Sequence, residues 1–456
     1  MSKLTTDVTI RCRNYLQTAE IGFRYGESFR FSLPWRPKLH SPLQSDLLRV
    51  AGALLLADRA FRRQRRLGGW VRTFWVRAAL DEPQRWSRAA SAFARLTSFL
   101  TGDNWSFEFV SPKNKTVRIP YTSTDEFDRI SGTPSHGPAA LFSGGLDSFC
   151  GASKLLRETG TPEKAPLFLS SFVTGRDHLV NLLQKIAEKV NNQEYIHLLV
   201  HGLVNVSKVE GVDAAELPER SRRSRSLYFL LQAMSAALEF GNREIYLYEN
   251  GVMALNLPIR ADDIGSRATR HAHPFFLQLL NEFSRTLMGR EAPIVSNPFA
   301  EVTKGEMILK HANGVESLVG ETITCWGYPN ATNHFRSDHP KVTHCGRCLP
   351  CLIRRVALRH GQLEDNHSIY GFPDLFIAAG NGFPLEKNLG KKDTWSEARK
   401  LLGFAQQFSL LKVKDFHWRF GGSLQHLTGR IALRDVKPMY NLYTRFSNEV
   451  KSAFSA

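Results

Sequence analysis

From residue 138 onward the chain repeats one unit: a short apolar run, a break, then a segment with helical spacing. "PAALF" leads into "SGGLDS" and a helix-like run, and "APLFLSSFVTG" leads into "RDHLVNLLQKIAEKV". "YIHLLV", the long apolar "SLYFLLQAMSAALEFG" and "EIYLYENG" continue the alternation. Strands alternating with helices predict an α/β domain built on a parallel, doubly wound sheet.

At 456 residues the chain is expected to hold two or three domains. Residues 1–136 mix strand-like pieces ("DVTIRCRNYLQ", "SFRFSLPW", "VRTFWVRAAL") with helix-like ones ("LQSDLLRVAGALLLADRAFRR", "RWSRAASAFARLTSFL"). They read as an α+β accessory domain that docks a partner. "SGTPSHGPA" at 131–139 is the expected linker. The α/β domain then covers 137–365. Past about residue 363 the alternation stops, and "TWSEARKLLGFAQQF" opens on a Thr394-x-x-Glu397 capping box. Residues 366–456 read as a helical C-terminal extension.

The sequence holds no run of eighteen apolar residues, and "MSKLTTDVTIRC" has no apolar h-region, so a cytoplasmic protein without a membrane span is expected. A formal charge of +17 favours anionic partners: nucleotides, an acidic protein, or, less favoured, nucleic acid. The basic residues concentrate in "RAFRRQRRLGGWVR" (59–72) and "ERSRRSRSLYF" (219–229). A solvated helix face accounts for such runs equally well. On the partner reading, Arg62, Arg63, Arg65 and Arg66 steer an acidic protein, and Arg222, Arg223 and Arg225 meet a phosphate or a partner.

The stretch Ser143-Gly144-Gly145-Leu146-Asp147-Ser148 lies between a strand and a helix. A strand ending at Phe142 would deliver Ser143 to the carboxyl edge of the sheet, where open α/β folds bind ligands. Glycines without a Cβ let the backbone approach an anion, and the free N–H groups and dipole of the next helix favour one. The loop thus offers amides and two hydroxyls to a group the size of phosphate. It matches neither the Walker spacing nor the dinucleotide Gly-x-Gly-x-x-Gly pattern. Asp147 and Ser143 are expected in an exposed loop at a helix start, where either could be replaced at little cost to the fold. Glu249, Asn250 and Gly251 end another predicted strand and belong at the same edge.

Of six cysteines, Cys345, Cys348 and Cys351 share a Cys-x2-Cys-x2-Cys run suited to tetrahedral zinc. Cys325 in "TITCWG" is the best fourth ligand and His344 its competitor. An iron–sulfur cluster or a metal-free thiol group is the alternative. Cys150, just beyond the glycine loop, reads as a small core residue.

Ser143-Gly144-Gly145-Leu146-Asp147-Ser148 resembles the Ser-Gly-Gly-x-Asp-Ser motif of the PP-loop (HUP-like) ATP pyrophosphatases. Cys325 with Cys345-Gly-x-Cys348-x-x-Cys351-Leu-x-Arg354 resembles the zinc knuckle of one branch, the QueC-like 7-cyano-7-deazaguanine synthases. "GRDHLVNLLQKIAEKV", "RSLYFLLQAMSAA" and "NPFAEVTKGEMI" resemble further segments of that branch, with Ser226 where the family has asparagine. The resemblance covers about half the chain. The spacing from Cys325 to Cys345 is longer than in the biosynthetic enzymes, which also lack the N-terminal domain and helical tail. In size and layout the chain looks most like the larger QueC-like components of bacterial anti-phage operons of the Qat type.

The resemblance implies an ATP-dependent ligase. A deazaguanine-type carboxylate attacks ATP, and the acyl-adenylate becomes an amide or nitrile, or passes to an amine of a partner protein from the same operon. It implies that Ser143, Gly144, Gly145, Leu146 and Ser148 hold the pyrophosphate of ATP. Asp147 would orient the loop or hold Mg2+ through water, and Lys304 would offset charge on the phosphates. Glu249 and Asn250 would read the purine-like substrate. Zn2+ would sit on Cys325, Cys345, Cys348 and Cys351. Two other readings stand beside it: a PP-loop enzyme that thiolates tRNA, which needs a persulfide cysteine, and a non-catalytic ATP-binding subunit of a defence complex.

Overall fold

The computed structural model describes residues 7–13, 18–23, 25, 29–33, 41–63, 70–112, 137–159, 164–172, 175–192, 194–204, 219, 221, 223–258, 270–327, 342–383, 393–428 and 433–455. Residues 131–136 of the expected linker fall outside them, as do Arg65, Arg66 and Arg222.

Two sheets organise the chain. The smaller comprises β1 (Val8–Arg13), β2 (Thr18–Phe23), β4 (Thr73–Ala79) and β5 (Asn104–Val110), in the order β2-β1-β4-β5. β4 and β5 run parallel, joined through helix α2 (Pro83–Thr101). β2 alternates Ala19, Ile21 and Phe23 over only six residues, and Gly22 on its other face weakens the strand signal in the sequence.

The larger sheet contains β6 (Ala139–Leu141), β7 (Leu167–Phe172), β8 (Ile196–Val204), β9 (Glu244–Tyr246) and β10 (Ile294–Ser296), all parallel, in the order β10-β9-β6-β7-β8. The expected parallel sheet is therefore present. A sixth strand, β3 (Phe29–Ser32), pairs antiparallel with β8 at the edge. A piece of the N-terminal segment thus completes the larger sheet.

Helices cover both faces of this sheet. Ala139, Leu167, Leu169, Val200, Ile245 and Val295 point into a core shared with α1 (Pro42–Ala60), α2, α5 (Arg225–Phe240) and α7 (Pro274–Met288). Ala140, Phe142 and Phe168 point to the other side, against α3 (Leu146–Glu158), α4 (Arg176–Lys189) and α8 (Lys304–His311). The period-2 alternation of strand side chains produces this division. The first core also contains Trp86, Phe93 and the inward residues of the small sheet, so the two sheets are fused through one interior.

The described residues beyond 374 form helices only: α10 (Leu375–Gly380), α11 (Ser396–Phe408), α12 (Val413–Thr428) and α13 (Leu433–Ser455). Their aromatic core also takes in α6 (Gly251–Leu255) and α9 (Leu349–His360). The expected Thr394–Glu397 capping box does not form. α11 begins at Ser396 behind Trp395, Asp393 accepts from the Trp395 amide at 3.2 Å, and Glu397 pairs with Lys400 at 3.2 Å. An aspartate turn captures the helix start before the threonine does. The capping box in the structure is Thr303–Glu306, where each residue's side chain accepts from the other's amide, at 3.1 and 2.9 Å.

The basic runs are a second correction. Arg63 is buried and grips Asp103 with two bonds of 2.8 and 2.5 Å. Arg72 is buried too, bridging Asp58 at 2.6 Å and Asp103 at 2.7 Å. Asp58 also accepts from the Ser224 amide and hydroxyl, each at 2.9 Å, which ties the small-sheet region to the start of α5. Burial alone would raise the Asp58 carboxyl, but Arg72 and the Ser224 amide outweigh it and hold it low. Arg63 therefore steers no partner; it neutralises a buried acid. Arg62 is exposed. Arg223 donates to the Thr101 carbonyl at 3.0 Å and lies over Trp70, while Arg225 lies over Phe229.

Candidate functional site

β6 and β9 are neighbours, and from them the chain winds outward in opposite directions. Their carboxyl ends define the switch point of the sheet, the place where the strand order leaves a crevice. The glycine loop leaves β6 there, and Tyr248 and Glu249 follow β9. Side chains of both segments line a cleft of about 230 Å³ with Met253, His271, Lys304, Thr324 and Trp326.

The loop is built for a close backbone approach. Phe142 still donates to Leu169 at 2.9 Å as the ladder ends. Gly144 has φ +71°, and a Cβ there would come within 2.9 Å of Leu179. Gly145 precedes the first turn of α3, whose leading N–H groups have no acceptor inside the helix. The Ser143 and Ser148 hydroxyls lie 3.1 Å apart, and Ser148 also receives the Ser143 amide at 3.2 Å and donates to the Gly145 carbonyl at 3.0 Å. Leu146 buries its side chain in the core. Only its backbone is placed to meet a ligand. Gly144 bends the loop without lining the cleft.

Asp147 is not in an exposed loop. It is buried, pairs with Lys304, and accepts from the Asn250 amide at 2.9 Å and the Asn250 side chain at 2.8 Å. Burial raises this carboxyl, but Lys304 and neighbouring hydrogen bonds more than offset that and hold it ionised. Lys304 is likewise buried, aimed at Asp147 from the first turn of α8. Asn250 is fully buried and does not line the cleft. It bridges Asp147 to Glu249, donating to Glu249 at 3.0 Å, and caps α6 by accepting from Met253 at 3.2 Å. Its position is that of a spacer, not of a substrate reader.

Glu249 does face the cleft. Its backbone is fixed by Asn297, which accepts from the Glu249 amide at 3.2 Å and donates to its carbonyl at 2.7 Å. Its carboxyl meets His271 Nε2 at 3.1 Å. Burial, then the charge of Asp147, push Glu249 up from the usual carboxylate range. No motif marks His271, and Asn297 is signalled only as the first residue of the "NPFAEVTKGEMI" segment, with no role attached. Trp326, 62% exposed at the cleft mouth, was signalled only by its place after Cys325.

The four cysteines Cys325, Cys345, Cys348 and Cys351 converge, with all sulfurs within 4.8 Å of one another. Separations of 3.4, 3.9 and 4.0 Å surround the roughly 3.8 Å edge of a tetrahedron with 2.3 Å metal–sulfur bonds. Amides of Gly327 and Cys345 point at Cys325 Sγ, and that of Cys348 at Cys345 Sγ, each at 3.4 Å. Such donors stabilise thiolate charge. Gly346, with φ +82°, makes the turn; a Cβ there would sit 2.5 Å from the Phe372 carbonyl. The set can bind a metal such as zinc, and its tightness fits a single ion. His344 is not a fourth ligand, because Nε2 accepts from Thr324 at 3.1 Å and Nδ1 pairs with the Thr343 hydroxyl at 2.8 Å.

The cluster and the cleft share a wall. Ile323 donates to the Gly144 carbonyl at 3.0 Å, and Thr324 and Trp326 flank Cys325 in the cleft. From α9, buried Arg354 donates to the Val319 carbonyl at 2.7 Å and to Thr322 at 2.5 Å. The other cysteines are core residues: burial pushes the Cys12 thiol up to about 12 and raises Cys150 further still.

Fold and site together define an α/β protein with a switch-point cleft beside a four-cysteine metal-binding set. No protein-family model matches the chain, and no curated protein matches it either. Among the described residues no helix is long and apolar enough to cross a membrane.

Proposed function

We propose that this protein is an ATP-dependent ligase of the 7-cyano-7-deazaguanine synthase type, acting in bacterial anti-phage defence. It adenylates a carboxylate of a 7-deazaguanine-type substrate. The acyl group then becomes an amide or nitrile, or passes to an amine of a partner protein. The observation that carries this reading is the glycine loop at the switch point, opening α3 beside the Asp147–Lys304 pair. In this reading the α3 amides and the Ser143 and Ser148 hydroxyls hold the pyrophosphate end of Mg2+-bound ATP. Lys304 supplies a compact positive charge, and Asp147 keeps that charge inside the protein until phosphate arrives. Trp326 offers a flat apolar face to a planar heterocycle, and Glu249 offers acceptors to its ring N–H groups. The four cysteines would hold zinc as a closed structural site, which supplies folding energy and no open coordination position.

The thiolating alternative has less support. It needs a thiol at the cleft, and Cys12 and Cys150 are buried while the other four belong to the cluster. The test is incubation with ATP and 7-carboxy-7-deazaguanine, with and without ammonia. AMP and pyrophosphate should form only with both substrates, and Ser143→Ala should abolish their release. A protein that binds ATP but yields neither product acts as a non-catalytic subunit.

A further inference from the structure

A continuous hydrogen-bonded chain crosses the cleft floor. Lys304 meets one oxygen of Asp147, the other oxygen receives Asn250, Asn250 donates to Glu249 Oε1, and Glu249 Oε2 meets His271 Nε2. Its anchored end lies under the glycine loop. Its other end is an imidazole that lines the cleft, with a side chain 29% exposed. Among the described residues His271 Nδ1 has no hydrogen-bond partner. Asn297 fixes the backbone of Glu249 through two contacts, and Asn250 donates to its Oε1 at 3.0 Å, so the ring meets an acceptor held from both sides. An imidazole held at one nitrogen by a carboxylate presents the other as a base.

We propose that His271 is the catalytic base of the acyl-transfer step, oriented by Glu249 as a positioning residue. The proposal rests on the ligase reading above. The amine nitrogen attacks the acyl carbon, the bond from that carbon to the AMP oxygen breaks, and AMP leaves with the electron pair. The proton released by the amine passes to His271 Nδ1, while Nε2–H stays on Glu249. The charged groups around the ring are Glu249 beyond β9, then Asp147 on α3 and Lys304 on α8; Arg270 points away, donating to the Phe99 carbonyl at 2.8 Å.

The experiment separates two half-reactions of the full-length protein. Activation is read as ATP–pyrophosphate exchange with 7-carboxy-7-deazaguanine, and transfer as single-turnover amide formation with ammonia. His271→Ala and His271→Gln should keep exchange within a few-fold and lose about 100-fold or more of transfer. Added imidazole should restore transfer in His271→Ala. Glu249→Gln should lower transfer less than His271→Ala does, and Glu249→Asp should recover part of that loss. Transfer unchanged in both histidine variants, or exchange lost in proportion in His271→Gln, overturns the role of His271. Absence of exchange in the wild-type protein overturns the ligase reading instead.

Discussion

At the scale of single residues, the charge at the centre of the site is also a fold element. Removing Asp147 leaves the Lys304 ammonium buried without its counter-ion, and such losses cost about 3–5 kcal/mol. Asp147→Ala should therefore lower the urea midpoint strongly. The sequence suggests a cheap loop substitution there, because burial of a helix-start acid depends on a lysine 157 residues away. Gly144→Ala combines a left-handed φ with a clash against Leu179, a backbone cost of about 1–2 kcal/mol. It should also weaken ATP binding, measured by calorimetry, since the loop must widen. Glu449 gives a pH signature. It bonds the Thr303 hydroxyl at the cap of α8, and burial pushes it up to about 7, with Glu306 adding repulsion and Arg445 and Thr303 opposing. Its unfolded value is about 4.3, so the folded state holds the extra proton between the two. Stability should fall as pH rises from about 4.5 to 7, by roughly 3 kcal/mol at most, and Glu449→Gln should flatten that slope.

At the scale of elements, the four-cysteine set organises the segments on either side of it. It fixes the start of α9, and Arg354 from that helix pins the 319–324 wall that carries Trp326 into the cleft. Metal removal by a strong chelator should raise hydrogen exchange at 319–327 and in α9 more than in β6 to β8. Cys348→Ser should reproduce that pattern or give insoluble protein, since structural zinc contributes on the order of 10 kcal/mol. Much of this element layer was legible. The β6-loop-α3 unit and the cysteine spacing are local patterns, and local patterns survive into the fold. His271 was not legible. It sits in "RATRHAHPFF" with no diagnostic spacing, and only the pairing of β9 with β6 and the backbone grip of Asn297 bring Glu249 to it. The Thr394–Glu397 signal failed for the converse reason: a nearby Asp393 offered a competing turn.

At the scale of the whole molecule, the N-terminal region and the helical tail are joined to the α/β core by more than linkers. β3 completes the large sheet, α1 packs on α5, and the Arg72–Asp58–Ser224 network crosses between them. On the other side α13 reaches the site elements: Tyr443 accepts from the Leu257 amide at 3.0 Å, and Arg445 meets Glu306 at 2.6 Å. These packing relations were invisible in the sequence because buried arginines read as surface charge until their acids are placed. The central claim, adenylation of a carboxylate at the glycine loop, has one direct test. The substrate 7-carboxy-7-deazaguanine is labelled with oxygen-18 in its carboxylate and turned over with ATP and ammonia, and the AMP is weighed by mass spectrometry. Attack of the carboxylate on the α-phosphate, followed by cleavage of the acyl carbon–oxygen bond, predicts AMP carrying one labelled oxygen. Label in free phosphate with ADP formed, or product without labelled AMP, would contradict the account.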